Sequence, residues 1–192
     1  MKELIFATNN AHKLAEVREI LGSKFPLHTL TEAGIVEDIP EEEPTVEGNA
    51  LAKARYVWQR LGADCFADDT GLEVEALGGA PGVHSARYAT NGHDMAANRA
   101  KLLDEMADKS DRRAHFRTVV ALIIGGEEHL FEGRVEGVIL NSERGEGGFG
   151  YDSLFVPDGF SETFAQLPPE VKNSISHRGR AIRAMADYLS KL

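Results

Sequence analysis

Two long β-prone runs joined by a glycine turn constrain the fold of this chain more than any other feature. Residues 116–124 and 129–140 are rich in aliphatic, aromatic and β-branched side chains, and a Gly-Gly-Glu-Glu segment at 125–128 separates them. Such a pair predicts an antiparallel hairpin. The chain opens with a different pattern, a strand at 4–8 followed by an amphipathic helix at 13–21, which is typical of a unit that feeds parallel strands. We therefore predict an α/β fold on a mixed sheet.

Caps and chain breakers indicate the remaining elements. Helices are predicted at 45–61, where Thr45 is the cap and Gly62 the stop, at 94–106 and at 177–189. The other predicted elements are short strands at 26–30, 65–69 and 154–156, an acidic loop at 37–47, a shaped loop at 78–82 and a short helix from Pro168.

Composition excludes several classes of protein. The chain has 192 residues, of which 42% are hydrophobic, and this suits one globular domain or one domain with two lobes. The net charge of −10 argues against a nucleic-acid binder, because such proteins gain affinity from cations on phosphates. No apolar run reaches the length of a membrane span, and the N-terminus lacks a signal-peptide pattern. Cys65 is the single cysteine, which fits a reducing compartment. From the charge, the apolar runs and the cysteine together, we expect a cytoplasmic protein without nucleic-acid or membrane partners.

The chemically most informative segment is Asp68-Asp69, which follows the apolar run 65–67. Apolar residues that stop at turn-forming residues predict a buried strand that ends at the rim of a sheet, where α/β proteins bind ligands. Because successive side chains of a strand face opposite sides, Asp68 and Asp69 should have different roles. A carboxylate in a cleft can hold a hard cation or accept a proton from water. The alternative is a turn with two solvated aspartates.

Two segments carry groups that suit phosphate. Residues 8–13 join the first strand to the first helix, and a helix N-terminus offers free amides and a positive dipole end. Lys13 adds a charge there, although the glycine spacing of a P-loop is missing. Asn49, Lys53 and Tyr56 share one helix face, from which Lys53 can reach phosphate. The alternative for Lys53 is a solvated lysine.

Two further segments suit a flat ring. Segment 147–152 surrounds Phe149 with three glycines, so the backbone can approach a ligand while the phenyl ring stacks on it. Asp152 can accept a hydrogen bond from a ring N–H. His177 and Arg178 place donors at a helix start, where cations oppose the dipole and so indicate an anion or a carbonyl partner. The alternatives are a turn around a core aromatic residue and two exposed basic residues.

Co-linear motifs extend over nearly the whole chain. They are Thr8-Asn9-Asn10 with Lys13, Asn49-Ala50 with Lys53-Ala54-Arg55, Ala67-Asp68-Asp69-Thr70-Gly71-Leu72, Ala76-Leu77-Gly78-Gly79-Ala80-Pro81-Gly82, Ser85-Ala86-Arg87-Tyr88, Gly148-Phe149-Gly150-Tyr151-Asp152 and Ser176-His177-Arg178. In this order they resemble the Ham1-like inosine/xanthosine triphosphate pyrophosphatases. One departure is Asn9, which stands where that family often has glycine, and Asn tolerates the left-handed region of backbone space better than most residues.

The resemblance implies an elongated mixed sheet with helices, in two lobes around a central nucleotide-binding cleft, and a homodimer. The whole of residues 1–192 would form a single nucleoside-triphosphate pyrophosphatase domain. The expected reaction is magnesium-dependent hydrolysis of non-standard purine nucleoside triphosphates (ITP, dITP and XTP) to the monophosphate and pyrophosphate, which cleanses the nucleotide pool.

The resemblance also implies a role for each motif. Asp69 would accept the proton from water and bind Mg²⁺, with Glu41, or else Glu42, as the second acidic ligand. Thr70 would lie next to the substrate. The triphosphate would be held by Thr8, Asn9, Asn10, Ala11, His12, Lys13, Lys53 and Lys172. The base would be held by Phe149, Gly150, Tyr151, Asp152, His177 and Arg178.

Base selection follows in part from hydrogen bonding. Donors from His177 and Arg178 would suit the 6-oxo group of hypoxanthine or xanthine and would oppose the amino group of adenine, and each unsatisfied buried polar group costs about 1–3 kcal/mol. Guanine shares the 6-oxo group, so rejection of GTP must depend on its 2-amino group. Two alternatives stay open: a pyrophosphatase of similar fold for other modified or pyrimidine nucleotides, and a non-catalytic nucleotide sensor. A sensor would not need Asp69 together with an acidic partner.

Overall fold

The chain folds into two compact units, as shown by a computed structural model that describes residues 3–192. Unit 1 contains the described residues up to Asp69 together with Thr118–Gly133 and His177–Leu192. Unit 2 contains Thr70–Arg117 and Arg134–Ser176. The backbone therefore passes from one unit to the other four times, after residues 69, 117, 133 and 176.

The described part of the chain contains one mixed sheet, which confirms the predicted fold class. Its strands are β1 (Leu4–Phe6), β2 (Leu27–His28), β3 (Cys65–Val74), β4 (Pro81–Gly82), β5 (Arg113–Ile124), β6 (Glu127–Ile139) and β7 (Phe155–Pro157). The strand order is β2-β1-β3-β5-β6-β7, and β4 pairs with β3. β1 is parallel to β2 and β3, whereas the β3–β4 and β6–β7 pairs are antiparallel.

Five α-helices are present in the described residues: α1 (Ala11–Leu21), α2 (Val46–Leu61), α3 (Met95–Met106), α4 (Pro169–Ile175) and α5 (His177–Leu189). The predicted ends of α2 are confirmed, because the Thr45 side chain accepts the Gly48 N–H at 3.0 Å and Gly62 takes the left-handed conformation at φ 59°. None of these helices combines the length and apolar character that a membrane crossing requires.

Each unit has a hydrophobic core of its own. In unit 1, α1 and α5 pack together against β1, β3 and β5, and the rings of Phe6 and Phe66 stack with centroids 4.5 Å apart. Cys65 is fully buried in this unit, its thiol donates to the Ala54 carbonyl, and burial raises the pKa of the thiol to about 12. In unit 2 the core includes Leu72, Val74, Leu102, Phe116, Leu154, Phe155 and Phe164.

The predicted glycine hairpin is confirmed, and its strands extend further than the sequence indicated. β5 begins at Arg113, before the predicted start at 116. Because β5 ends at Ile124 and β6 begins at Glu127, the connection shrinks to Gly125 and Gly126, which have φ values of 58° and 86°. Segment 78–82, predicted as a loop, includes the two-residue strand β4.

One prediction about β3 is wrong. The strand does not end at Asp68-Asp69 but continues to Val74, because residues 70–74 remain extended and pair with β4, with Leu72 opposite Gly82. The strand that ends nearby is the parallel neighbour β1, whose pairing with β3 stops at Phe6 and Phe66. The two carboxylates therefore follow the end of β1 on a strand that runs on past it.

Candidate active site

Asp68 and Asp69 have different partners in unit 1, as the alternation of side chains along a strand predicts. Asp68 is fully buried, and its carboxylate accepts from Lys13 Nζ on α1 at 3.3 Å and from Arg178 Nε on α5 at 3.0 Å. Asp69 is 7% exposed, and its Oδ2 accepts from Asn49 Nδ2 on α2 at 3.1 Å. The alternative interpretation, a turn with two solvated aspartates, is therefore excluded.

Asp68 is the counter-ion of a buried cationic cluster. Burial alone would raise the pKa of Asp68, but the charges of Lys13 and Arg178 outweigh it and hold that pKa well below its usual range. The Arg178 guanidinium also donates from Nη1 to Glu16 Oε2 at 3.0 Å, and it is only 1% exposed. Burial lowers the pKa of Lys13, and Asp68 opposes that effect. Asp68 thus stays ionised and neutralises its neighbours.

Asp69 has the opposite electrostatic character. Among the described residues it forms no ion pair within 4.0 Å, and its pKa is raised because burial outweighs the charges of Lys53 and Lys13. Nearby carboxylates whose pKa values are pushed apart are a recurrent sign of separate catalytic roles. Asp69 is therefore the better proton acceptor of the two.

The acidic segment, residues 37–43, brings one of its glutamates into this cluster. Lys53 Nζ donates to Glu41 Oε1 at 2.7 Å and to the Asp68 carbonyl at 2.6 Å. Burial would raise the pKa of Glu41, but Lys53 outweighs it and lowers that pKa. For Lys53 the signs are reversed: burial would lower its pKa, but the attraction of Glu41 and the two aspartates outweighs burial and raises that pKa. Glu42 is exposed, so of the two candidates the structure joins Glu41 to the cluster.

Several polar groups of the loop before α1, which the sequence assigns to phosphate, form hydrogen bonds within the protein. The Asn10 side chain caps the helix by accepting from the backbone N–H groups of His12 at 3.0 Å and Lys13 at 3.1 Å. Thr8 Oγ1 accepts the Asn10 N–H at 3.1 Å, and Asn9 Nδ2 donates to Asp38 at 2.7 Å. Two first-turn amides that could face an anion are thus bonded to Asn10 in this conformation.

A second group of predicted residues lies in unit 2. Lys172 Nζ donates to Asp152 Oδ2 at 2.6 Å and lies 5.0 Å from the centre of the Phe149 ring. The Phe149 N–H donates to the same carboxylate oxygen at 3.1 Å. A side chain at Gly148 would run into that carboxylate, and its φ of 68° also favours glycine. Lys172, predicted for phosphate, is therefore a neighbour of the residues predicted for the base.

The remaining predicted residues divide between the units. Tyr151 is 5% exposed in the core of unit 2, where its hydroxyl donates to the Ser85 carbonyl at 2.6 Å. The Gly150 carbonyl accepts from Arg99 at 2.9 Å, and Thr70 is the first residue of unit 2. His177 opens α5 in unit 1 and is buried, which excludes the interpretation of an exposed basic residue.

Comparison with protein families gives a direct assignment. The family model described as the Ham1 family matches residues 4–188. The chain belongs to the Ham1 family. A dITP/XTP pyrophosphatase of Porphyromonas gingivalis is 53% identical over 98% of both chains, and one of Flavobacterium psychrophilum is 50% identical over 97% of this chain and 98% of its own.

Solved structures of Ham1 proteins agree with this fold. The Ham1 protein of Staphylococcus aureus aligns with a TM-score of 0.89 at 37% identity and covers 99% of both chains. A HAM1 protein from Coxiella burnetii aligns with a TM-score of 0.91 at 38% identity and covers both chains completely, at 100%.

Two polar residues near Asp68 and Asp69, Glu16 and Asn49, were not predicted from the sequence as members of the site. Glu16 lies three positions after Lys13 on α1, and this spacing, which puts both residues on one helix face, could have predicted that Glu16 joins the site. Helical spacing groups Asn49 with Lys53, but it does not reveal the contacts of Asn49 with Asp69 and with the backbone N–H of Glu43. The contact between Asn49 and Asp69 joins residues 20 positions apart, so no local pattern predicts it.

Proposed function

We propose that this chain hydrolyses dITP, ITP and XTP to the nucleoside monophosphate and pyrophosphate. The observation that carries the proposal is Asp69, a buried carboxylate with a raised pKa and, among residues 3–192, no ion pair within 4.0 Å. Such a carboxylate accepts a proton more readily than an ordinary aspartate does. The relatives named dITP/XTP pyrophosphatase, at 53% and 50% identity, support the choice of substrate.

In the proposed reaction, Asp69 accepts a proton from water as the water oxygen forms a bond to phosphorus. The bond between that phosphorus and the bridging oxygen breaks, and its electron pair leaves with the departing group. Lys13 and Lys53 hold non-bridging phosphate oxygens and stabilise the negative charge of the transition state. Water is thereby added across one anhydride bond, which yields the monophosphate and pyrophosphate.

A divalent cation, for which we propose Mg²⁺, suits the charges of unit 1. The cluster contains three cations and four carboxylates: Lys13, Lys53, Arg178, Glu16, Glu41, Asp68 and Asp69. It therefore has no surplus positive charge for a triphosphate. No three His, Cys, Asp or Glu side chains of the described chain converge as a complete metal site. Mg²⁺ commonly binds one or two carboxylates plus substrate phosphates, so Asp69 and Glu41 would hold it, and the bound ion would neutralise and orient the phosphates.

The metal assignment predicts a difference between two neighbouring glutamates. Glu41→Gln is expected to raise the Mg²⁺ concentration for half-maximal activity by about tenfold or more, because an amide lacks the charge of a carboxylate ligand. Glu42→Gln is the matched control, since Glu42 is exposed and lies next in sequence. Magnesium titrations of pyrophosphate release measure both. A larger effect from Glu42→Gln, or no effect from either, would move the ligand elsewhere.

For base recognition we propose Phe149 as the stacking face and Asp152 with Lys172 as polar contacts. The 2.6 Å ion pair between Lys172 and Asp152 and the lysine's position over the Phe149 ring favour this role for Lys172 over phosphate binding. By the same reasoning, the contacts of Arg178 with Asp68 and Glu16 favour a role within the charged cluster.

This division predicts different selectivity effects from two lysine substitutions. Lys13→Gln is expected to lower kcat/KM for ITP and ATP by similar factors, because both carry the same triphosphate. Lys172→Gln is expected to change the ITP/ATP ratio of kcat/KM by roughly fivefold or more, the lower range for one mispaired polar group. Equal losses on both substrates after Lys172→Gln would return Lys172 to the phosphates.

One assay tests the proposed function itself. Pyrophosphate release is measured from ITP, XTP, dITP, GTP and ATP, with and without Mg²⁺. We expect release from the first three substrates, far less from GTP and ATP, and none without a divalent cation. Binding of these nucleotides without release would indicate a sensor, and preference for a pyrimidine triphosphate would indicate the other class of pyrophosphatase.

We also propose that the chain acts as one pyrophosphatase domain and forms a homodimer. The family match over residues 4–188 supports a single functional domain. Sedimentation at micromolar concentration is expected to give twice the chain mass of 21.0 kDa, and a clean monomer would contradict the dimer.

A further inference from the structure

One buried side chain links the two acidic parts of the candidate active site. Asn49 on α2 is 1% exposed. Its Nδ2 donates to Asp69 Oδ2 at 3.1 Å, and its Oδ1 accepts the backbone N–H of Glu43 at 2.9 Å. We infer that Asn49 is a positioning residue, which holds the Asp69 carboxylate and the acidic segment bearing Glu41 in fixed relation. This inference rests on the proposed function, in which both carboxylates serve the same reaction.

The chemistry of the two partners fixes the orientation of the Asn49 amide. An ionised carboxylate only accepts hydrogen bonds, and a backbone N–H only donates them. The NH₂ group must therefore face Asp69, and the carbonyl oxygen must face Glu43. Rotating the amide by half a turn would oppose oxygen to oxygen and N–H to N–H, so the side chain has one orientation that satisfies both bonds.

The backbone beneath Asn49 is well anchored. Its N–H donates to the Thr45 carbonyl at 3.1 Å, and Thr45 also caps the first turn of α2 through Gly48. The acidic segment packs tightly on this turn, because a Cβ atom added at Gly48 would lie 2.9 Å from Glu43 Cβ. One turn further along the helix, Lys53 holds Glu41 at 2.7 Å. The segment is thus attached to one face of α2 at two points.

Loss of the amide should disturb both carboxylates together. Without Asn49 Nδ2, Asp69 loses its one hydrogen bond to a side chain of the described chain, and its carboxylate can rotate. Without Oδ1, the Glu43 N–H is released and the segment that carries Glu41 can shift. A misplacement of about 1 Å at a reacting group can cost about 100-fold in rate. The expected signature is a loss in kcat rather than in nucleotide affinity.

Two substitutions separate the two hydrogen bonds. Asn49→Asp keeps the size of the side chain and an oxygen for the Glu43 N–H, but it replaces the donor to Asp69 with a second carboxylate oxygen, which adds charge repulsion to the loss of that bond. Asn49→Ala loses both. Asn98→Ala is the matched control, because Asn98 is 3% exposed in unit 2 and also bridges two groups, the Ala89 N–H at 2.8 Å and the Ala86 carbonyl at 3.0 Å.

The first readout is steady-state kinetics of the full chain with dITP and Mg²⁺, corrected for the folded fraction. Both Asn49 variants are expected to lower kcat by roughly 10- to 100-fold with KM changed by less than about threefold. Asn98→Ala is expected to keep kcat within about threefold even if its melting temperature falls. An unchanged kcat in Asn49→Ala, or the same kcat loss in Asn98→Ala, would overturn the positioning role.

The second readout does not depend on catalysis. Hydrogen exchange of the Glu43 amide is expected to accelerate by roughly tenfold or more in Asn49→Ala and to stay near the wild-type rate in Asn49→Asp. Equal exchange in all variants would show that Asn49 does not hold the segment. If the wild-type chain released no pyrophosphate from any substrate, the proposed function would fail, and the exchange data would still decide whether the link exists.

Discussion

Asp69→Asn is expected to lower kcat for dITP hydrolysis by about 10²–10⁴-fold, the range that general-base catalysis supplies. The amide keeps the shape of the side chain and an oxygen for the Asn49 N–H, so the fold should persist, but it accepts no proton from water at neutral pH. Pyrophosphate release and thermal unfolding, measured on the same sample, separate activity from stability. In the wild type, activity should rise with pH as Asp69 deprotonates.

A control on the same strand isolates the effect. Glu73 also lies on β3, but it is in unit 2, where it accepts from His115 at 2.8 Å. Glu73→Gln removes a carboxylate of β3 without touching the cluster and should leave kcat nearly unchanged. A folded Asp69→Asn variant with activity within about threefold of wild type would reject Asp69 as the base.

Asp68→Asn is expected to reduce stability rather than only activity. The substitution leaves Lys13 and Arg178 buried around a neutral amide, and removal of one partner of a buried ion pair typically costs about 3–5 kcal/mol. Urea unfolding at pH 7 measures the loss. Because the folded-state pKa of Asp68 is depressed, its stabilisation is present above the unfolded value, about 3.9, and is lost as pH falls through the folded pKa. The difference from wild type should therefore shrink in strong acid.

The matched control for this prediction is Asp111→Asn. Asp111 also pairs with an arginine, Arg113 at 2.9 Å, which lowers the pKa of Asp111 to about 2, but the pair is exposed. Exposed ion pairs contribute little, so this variant should unfold like the wild type. Equal losses from Asp68→Asn and Asp111→Asn would mean that burial of the Asp68 cluster does not determine its contribution.

Local patterns in the sequence predicted the local elements well. The cap at Thr45, the stop at Gly62 and the Gly125-Gly126 turn act within a few residues, so each leaves a readable signal. The predicted end of β3 was wrong because it depends on pairing with a segment that is not adjacent in sequence. Whether a strand stops at Asp69 depends on β4, a two-residue strand that forms only when segment 78–82 folds back onto β3. Such pairing is a property of the fold and not of the local sequence.

In the candidate site, too, local sequence patterns predicted some features, whereas contacts between residues distant in sequence could not be predicted. The apolar run at 65–67 led to the choice of Asp68-Asp69, and strand alternation led to the expectation of different roles, with which their separate partners agree. The pairing of Asp68 with Arg178 joins residues 110 positions apart, so no spacing rule reveals it. The choice between Glu41 and Glu42 likewise needed the position of Lys53, because successive glutamates are chemically equivalent in sequence.

The burial of Cys65 has a practical consequence for spectroscopy. Thiols react with maleimides and iodoacetamides as thiolates, and a thiol with a pKa of about 12 that is fully buried offers almost none at neutral pH. The native chain therefore serves as a cysteine-silent background without further substitution. A single cysteine introduced at an exposed position of either unit would carry a fluorophore or spin label at a known place.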